Sequence, residues 1–241
     1  KGSQTIVFPA IPAQWTTNVV ELDATASSGL ATSCAVTAGN GILSGANLSF
    51  SGAGSVVVVA SQAGDANWNA AANMARTIAV SKVAATVSLA PLNQVYDGAA
   101  RAVAAETDPA GLPATITYDG SAAPPTAAGS YAVAATVVDA WYQGSAAGPL
   151  VVAQAPAAVA LAGLAQVYDG APKSVGVSTV PAGRTVAITY AGSAAPPTAA
   201  GAYAVTATVV EANYAGSAAG LLVVAPAPAE VVLDELEQLY D

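Results

Sequence analysis

Asp65, Asp139 and Glu211 recur in the phrases GDAN, VDAW and VEAN, and acids at a repeated place could supply oxygens to a calcium ion. Calcium takes six to eight oxygens, commonly from several acids close in space. Each phrase offers a single acid and no DxDxD run. A turn in which the Asp or Asn side chain bonds nearby backbone accounts for the pattern, with calcium at a junction between units as the alternative. Aromatic rings are the second candidate chemistry, since Trp15, Trp68, Trp141 and the pair Tyr142/Tyr214 could stack on a sugar. Trp68, Tyr142 and Tyr214 occupy one position of a repeating unit, which points to core or junction packing. Trp141 departs from that pattern, because its counterpart is Asn213, and it is the candidate for glycan contact.

Catalysis finds little to work with. The chain has no His and a single cysteine, Cys34. Ser–His–Asp and Cys–His arrangements are therefore impossible, and so are zinc sites built from His and Cys. Paired carboxylates are conceivable, as in glycosidases. The repeated acids Asp97 and Asp169, however, stand in Asp-Gly pairs, which is turn chemistry. No catalytic residue and no cofactor is expected. A Lys–Asn isopeptide bond could draw only on Lys1, Lys82 or Lys173, two of which sit at unit boundaries, and it is not expected either. Cys34 alternates with its neighbours so that it shares a face with Val36, as a small buried hydrophobe does.

The charge balance is acidic, with 15 carboxylates against 6 basic residues and a formal net charge of −9. Nucleic-acid binding rests on Lys and Arg neutralising phosphates, so no such partner is expected. The mean hydropathy is +0.53, yet no stretch gives the roughly 18 apolar residues that a spanning helix needs. The nearest, Val151 to Val167, is broken by Gln154, Pro156 and Gly163. The apolar character comes from Ala and Val in short strands, and no membrane insertion is expected within this segment. Residue 1 is a Lys within a linker-like KGSQT that lacks the charged, apolar, small-residue pattern of a signal peptide, and both ends are expected to be cut from something longer.

What must position these residues is a repeat. QVYDGA occurs at Gln94–Ala99 and at Gln166–Ala171, and QLYD closes the chain, so Tyr96, Tyr168 and Tyr240 are spaced by 72 residues. Val83–Gln154 aligns with Ala155–Pro226 without a gap and is identical at 47 of 72 positions. The first 82 residues are a diverged relative, in which GAGSVVVVASQAGDANWNAA parallels the repeats' AAGSYAV and AAGAYAV stretches. Three units follow, at 1–82, 83–154 and 155–226, with 227–241 as the first strand of a further one. Val231, Val232 and Leu233 lie 72 residues beyond Val159, Ala160 and Leu161. A first strand alone would leave an open edge. The expectation is that the polypeptide continues into a fourth unit beginning with Gly, the alternative being a neighbouring chain that completes the sheet.

Within a unit the signals are all β. TVSLAPL, ATITY, YAVAATVV and PLVVA are β-branched runs of period two, separated by DG, PAG and PPTAAG turns. An antiparallel β-sandwich of immunoglobulin-like form follows. In GSYAV and GAYAV the pattern of a tyrosine corner appears, so the Tyr131 and Tyr203 hydroxyls should bond backbone just upstream. Val133 and Val205 take the place of a disulfide cysteine, and Val56 stands where the first unit would have its tyrosine. The phrases Tyr96-Asp97-Gly98 and Tyr168-Asp169-Gly170 are read as structural turns.

The two repeats, with their YDG and AGxY…DxNYxG phrases, resemble the bacterial MBG (mostly-β, glycine-rich) domains. The opening, SQTIVFPAIPAQWTTNVVELDATASSG…GDANWNAA, is similar to the bacterial immunoglobulin-like repeats that often precede them. The resemblance implies large secreted or surface proteins, often adhesins, with such modules in tandem, and it brings no catalytic residue. The linkers SKVAA, AQAPAA and VAPAPAE are Ala/Pro-rich and should be semi-rigid. An elongated rod of tandem units follows: a non-catalytic stalk whose partners are neighbouring repeats and copies of itself in a fibre. The alternative is an adhesive module that recognises a glycan or protein receptor through its loops.

Overall fold

Alternation of one apolar and one small or polar residue sets the architecture. The structure, a computed structural model, describes residues 1–232 and is built from strands throughout. In Gly201–Val209 the side chains of Val205, Ala207 and Val209 are buried and Tyr203 is half-buried, and the intervening Ala and Thr face out. That is the period of a pleated strand with one face on a core.

The residues 1–82 form a four-stranded sheet in the order Gln14–Trp15, Met74–Ser81, Gly54–Ser61, Ser33–Ala38. A three-stranded sheet of Val20–Glu21, Asn47–Phe50 and Gly41–Ser44 and a pair made by Ile6–Val7 with Thr25–Ala26 complete it. Phe8, Leu48, Val56, Val58 and Ile78 fill the interior, with Cys34 and Val36 packed against them from one face. Burial pushes the Cys34 thiol up from its ordinary value. The ladder between Ser33–Ala38 and Gly54–Ser61 slips after Val36, a bulge that re-aims the strand end.

Each repeat is a smaller sandwich. In the second, a four-stranded sheet runs Ala165–Val167, Ser217–Ala225, Gly201–Val209, Val186–Tyr190, and a two-stranded sheet pairs Ala158–Ala162 with Gly176–Val180. Leu161 and Val177 of the small sheet meet Val205, Leu222 and Val224 of the large one. The first repeat has the same order, with Asn93–Val95, Ser145–Ala153, Gly129–Val137 and Ala114–Tyr118 beside the pair Thr86–Ala90 and Ala104–Asp108. Its buried Val103, Tyr118, Val133, Ala135, Val137, Leu150 and Val152 recur 72 residues on as Val175, Tyr190, Val205, Ala207, Val209, Leu222 and Val224. All seven positions are identical in sequence, so the core is held fixed between the repeats.

The sheets are mainly antiparallel, with a parallel strand at the edge that alternation alone does not reveal. Asn93–Val95 pairs parallel with Val151–Ala153, and Ala165–Val167 pairs parallel with Val223–Ala225. The chain leaves the small sheet after Ala90 or Ala162 and joins the edge of the large one. The phrase QVYDG therefore starts on a sheet edge and ends in a loop.

Packing divides the chain into two units. One comprises Lys1–Leu92, Ala102–Pro124 and Tyr131–Leu150, and the other comprises Asn93–Arg101, Pro125–Ser130 and the chain from Val151. The division passes through the first repeat because its YDGA and PPTAAGS loops pack with the residues that follow Val151. The residues 233–241 lie outside the described residues, and with them most of the expected first strand of a further unit.

Candidate functional site

Two short phrases hold the recurring acids: the acid loop (65–68, 139–142, 211–214) and the YDG turn (96–98, 168–170). In the acid loop one carboxylate oxygen folds back on the chain. Asp65 Oδ1 accepts the N–H groups of Asn67 and Trp68, each at 2.8 Å. Asp139 Oδ1 accepts those of Trp141 at 2.7 Å and Tyr142 at 2.9 Å. Glu211, one methylene longer, reaches a different partner: Oε1 accepts the Thr185 N–H at 2.6 Å and Oε2 meets Arg184 Nη1 at 3.1 Å. The Thr185 N–H, with the Arg184 charge beside it, holds the Glu211 carboxyl below its ordinary value. Among the described residues no three acids, cysteines or histidines gather as a metal site would require.

The loop's geometry serves the linker. The linkers SKVAA and AQAPAA lie alongside it as short parallel strands, Val83–Ala84 on Tyr142–Gln143 and Ala155–Pro156 on Tyr214–Ala215. In the first unit Gly2 bridges to Trp68 in the same sense. The N–H of Val83 donates to the Trp141 carbonyl at 2.8 Å, that of Ala155 to the Asn213 carbonyl at 2.9 Å, and that of Gly2 to the Asn67 carbonyl at 2.8 Å. Side chains one residue upstream repeat the theme. Lys82 Nζ donates to the Asp139 carbonyl at 2.6 Å, and Gln154 Nε2 donates to the carbonyls of Glu211 and Ala212 at 3.1 and 3.0 Å.

Trp141 and Asn213 differ in type but share a task. The Trp141 indole N–H donates to the Phe50 carbonyl at 3.2 Å, and the Thr16 hydroxyl donates to the Trp141 carbonyl at 2.6 Å. Asn213 Oδ1 accepts the Ala128 N–H at 2.8 Å. Each side chain thus reaches back to the preceding unit. The Trp141 ring remains 47 % exposed, but its one donor is committed to protein. Trp68 shields Gly2, and Trp15, on the edge strand beside Ser81, is 53 % exposed.

The YDG turns are closed by their own acids. Asp97 Oδ1 accepts the Ala99 N–H at 2.8 Å, Asp169 Oδ1 accepts that of Ala171 at 2.9 Å, and Gly98 and Gly170 adopt φ of +88° and +82°. A side chain at either glycine would strain that left-handed backbone. A cation four residues on pairs with each acid, Arg101 with Asp97 and Lys173 with Asp169 at 2.6 Å. The Lys173 hydrogen bond, more than the Ala171 N–H, lowers the Asp169 pKa from its ordinary value. Ahead of the first turn, the Tyr96 ring meets Tyr214 edge to face, with centroids 5.4 Å apart and an interplanar angle of 79°. Arg184 lies over the Tyr214 ring at 4.5 Å, a cation–π contact.

At the tyrosine corner, the Tyr203 hydroxyl donates to the Ala199 carbonyl at 3.0 Å. Tyr131 and Ala127, the counterparts, are engaged as well. Val133, Val205 and, in the first unit, Val56 are buried. Tyr203→Phe should cost roughly 0.5–1.5 kcal/mol, the net worth of one such bond. An unchanged midpoint of urea unfolding would contradict that assignment.

Sequence reasoning passed over Tyr118 and Tyr190. Both are buried in the core, and their hydroxyls accept the N–H groups of Val103 at 2.8 Å and Val175 at 3.1 Å. The signal was present in ATITY and VAITY, where alternation puts this tyrosine on the side of the core-facing isoleucine.

The MBG domain family matches residues 85–156 and 157–228. These two matches span more than half of the chain, which therefore belongs to the MBG domain family as a tandem pair. No curated protein is similar enough to count as a relative. Among solved structures the chain is similar to Drosophila N-cadherin EC1-4 (11 % identity, 93 % of this chain, 76 % of that one, TM-score 0.27). It is similar to Sidekick-1 immunoglobulin domains 1-4 at 12 % identity, covering 93 % of this chain and 76 % of that one, with a TM-score of 0.29. A third is the Bacteroides ovatus mixed-linkage glucan utilization locus protein SGBP-B in complex with a heptasaccharide, at 12 % identity, 94 % and 71 % coverage and TM-score 0.27.

Proposed function

We propose that the chain is a non-catalytic stalk or spacer segment of a large extracellular fibrous or adhesin protein on a bacterial surface. One observation carries the reading: the two linkers that lead into the repeats are hydrogen-bonded strands. Val83–Ala84 and Ala155–Pro156 are laddered onto the acid loop of the unit they lead into. A tether meant to flex would leave that backbone to water; a spacer gains reach by ordering it. Asp65, Asp139, Glu211 and the Trp141 indole N–H are occupied in this joinery, which supports a part without a reaction of its own.

Small-angle scattering tests it. Three units with strands of roughly 30 Å end to end should span about 100 Å and give a radius of gyration of roughly 30 Å. A value near the roughly 18 Å of one globular domain of this length would overturn the spacer reading.

A further inference from the structure

The outer face of the second repeat's four-stranded sheet carries no charge. The alternation that buries Val205, Leu222 and Val224 turns their neighbours on the same strands outward. Strand register sets Ala165, Val223 and Ala202 side by side in one row, and Leu221 beside Ala204 in the next. The remaining outward residues of these strands are Val167, Ala, Ser and Thr. None is Asp, Glu, Lys or Arg, on a chain whose formal net charge is −9. Gln166, on the edge strand, points the other way and donates to the Gly163 and Ser174 carbonyls.

The face also has relief. Leu221 is 54 % exposed and Val223 45 %, a ridge along Ser217–Ala225, and the exposed Ala202 and Ala204 leave a trough on the strand beside it. Four strands about 4.8 Å apart, the longest of nine residues at about 3.3 Å each, give a face of roughly 500 Å². Apolar patches beyond a few hundred Å² mark places of interaction. In the first repeat, which described chain flanks on both sides, Val95 and Val151 are likewise 51 % and 42 % exposed. The openness of this face is therefore a property of the repeat itself. Pro149 and Ser130 stand there in place of Leu221 and Ala202, so ridge and trough are sharpest in the second repeat.

We propose that this face packs against the same face of a second copy of the chain, with a twofold axis running along the strands. That axis lays Ser217–Ala225 of each copy over Gly201–Val209 of the other. Leu221 then sits over Ala204 and Val223 over Ala202, large onto small as closely packed sheets require. Charge selects the place. Copies of like net charge repel, and here they meet without taking an ion out of water. The two faces together bury on the order of 1,000 Å², the lower limit of a specific interface, so pairing is expected at roughly 0.1–1 mM. The contact is isologous and closes as a pair. It goes beyond the spacer reading, which the scattering of the dilute chain tests separately.

Sedimentation equilibrium of the full chain reads this directly. Between roughly 10 µM and 1 mM, the range an interface of this size calls for, the mean mass should climb from 23.2 kDa toward twice that value. Leu221→Ala should weaken pairing by at least about tenfold, because a twofold contact loses the side chain twice. Ala204→Glu, which sets a carboxylate under the partner's Leu221, should stay monomeric throughout. Ala132→Glu, the same change on the first repeat's face, should pair as the parent does. A parent that remains monomeric across the range leaves the face to some other partner and overturns the proposal. Pairing that Leu221→Ala and Ala204→Glu both leave unchanged overturns it too, as does an equal loss in Ala132→Glu.

Discussion

Tyr190→Phe should destabilise the second repeat by about 1–3 kcal/mol, the cost of leaving a buried donor unsatisfied. Tyr190 is 4 % exposed, and its hydroxyl accepts the Val175 N–H at 3.1 Å. Val175 opens the stretch that leads into the small sheet's strand Gly176–Val180, and it is itself buried. Removing one oxygen leaves the ring's apolar area in place and orphans a main-chain group that water cannot reach. The loss therefore exceeds that at the more exposed Tyr203. Amide exchange of Val205 and Leu222 should quicken by roughly 5–150-fold, the same energy expressed as an equilibrium ratio. Tyr118→Phe should produce the matching change at Val133 and Leu150 and leave the second repeat alone. Exchange rates in Tyr190→Phe equal to those of the parent would refute the role.

Why this tyrosine escaped sequence reasoning while Tyr203 did not is a matter of local pattern. Gly-x-Tyr-x-Val names its own hydrogen bond, because acceptor and donor lie four residues apart at Ala199 and Tyr203. The Tyr190 bond spans fifteen residues to Val175, and no short window contains both ends. The same limit governs the edge strands. Alternation in QVY shows a strand, but pairing of Ala165–Val167 with Val223–Ala225 is set by the far end of the repeat, so its parallel sense is invisible locally. All-β architecture, the repeat itself and the face of Cys34 and Val36 were legible, because period-two burial is written residue by residue.

The acid loop shows a subtler limit. One acid per loop already disfavoured a metal, and Asp65 and Asp139 do fold onto their own backbone. Glu211 does not, and its reach to Thr185 and Arg184 depends on an arginine that the first repeat replaces with Leu112. Trp141 looked like an outlier because its counterpart is Asn213. Both side chains turn out to bond backward, to Phe50 and Ala128. The first unit differs from a repeat in the loop it presents there, so the residue that meets it differs too. Divergence at this position follows the neighbour, a relation one unit's sequence cannot display.

Gly216→Ala should cost the second repeat roughly 1–3 kcal/mol by overpacking, and the reason lies in the linker. A Cβ at Gly216 would stand 1.9 Å from the Ala157 carbonyl oxygen and 2.9 Å from its carbon, and one at Gly144 would stand 2.3 Å from the Ala85 oxygen. These obstacles are backbone, so no rotamer relieves them. Ala157 is buried and its N–H donates to the Ala215 carbonyl at 2.8 Å, while the Gly216 carbonyl accepts the Val209 N–H at 2.8 Å. To admit a methyl group the linker must lift, which breaks the first of those bonds and opens the end of the sandwich. Gly176 supplies the control: its Cβ would meet Ala162 at 3.6 Å, ordinary contact, and the first repeat already has Ala104 at that place. Gly176→Ala should be neutral or stabilise by up to about 1 kcal/mol through the unfolded chain's lost freedom. Urea unfolding should thus separate two glycine-to-alanine changes in one repeat by opposite or near-opposite shifts of midpoint. Equal shifts would mean that the linker is not held where Gly216 meets it.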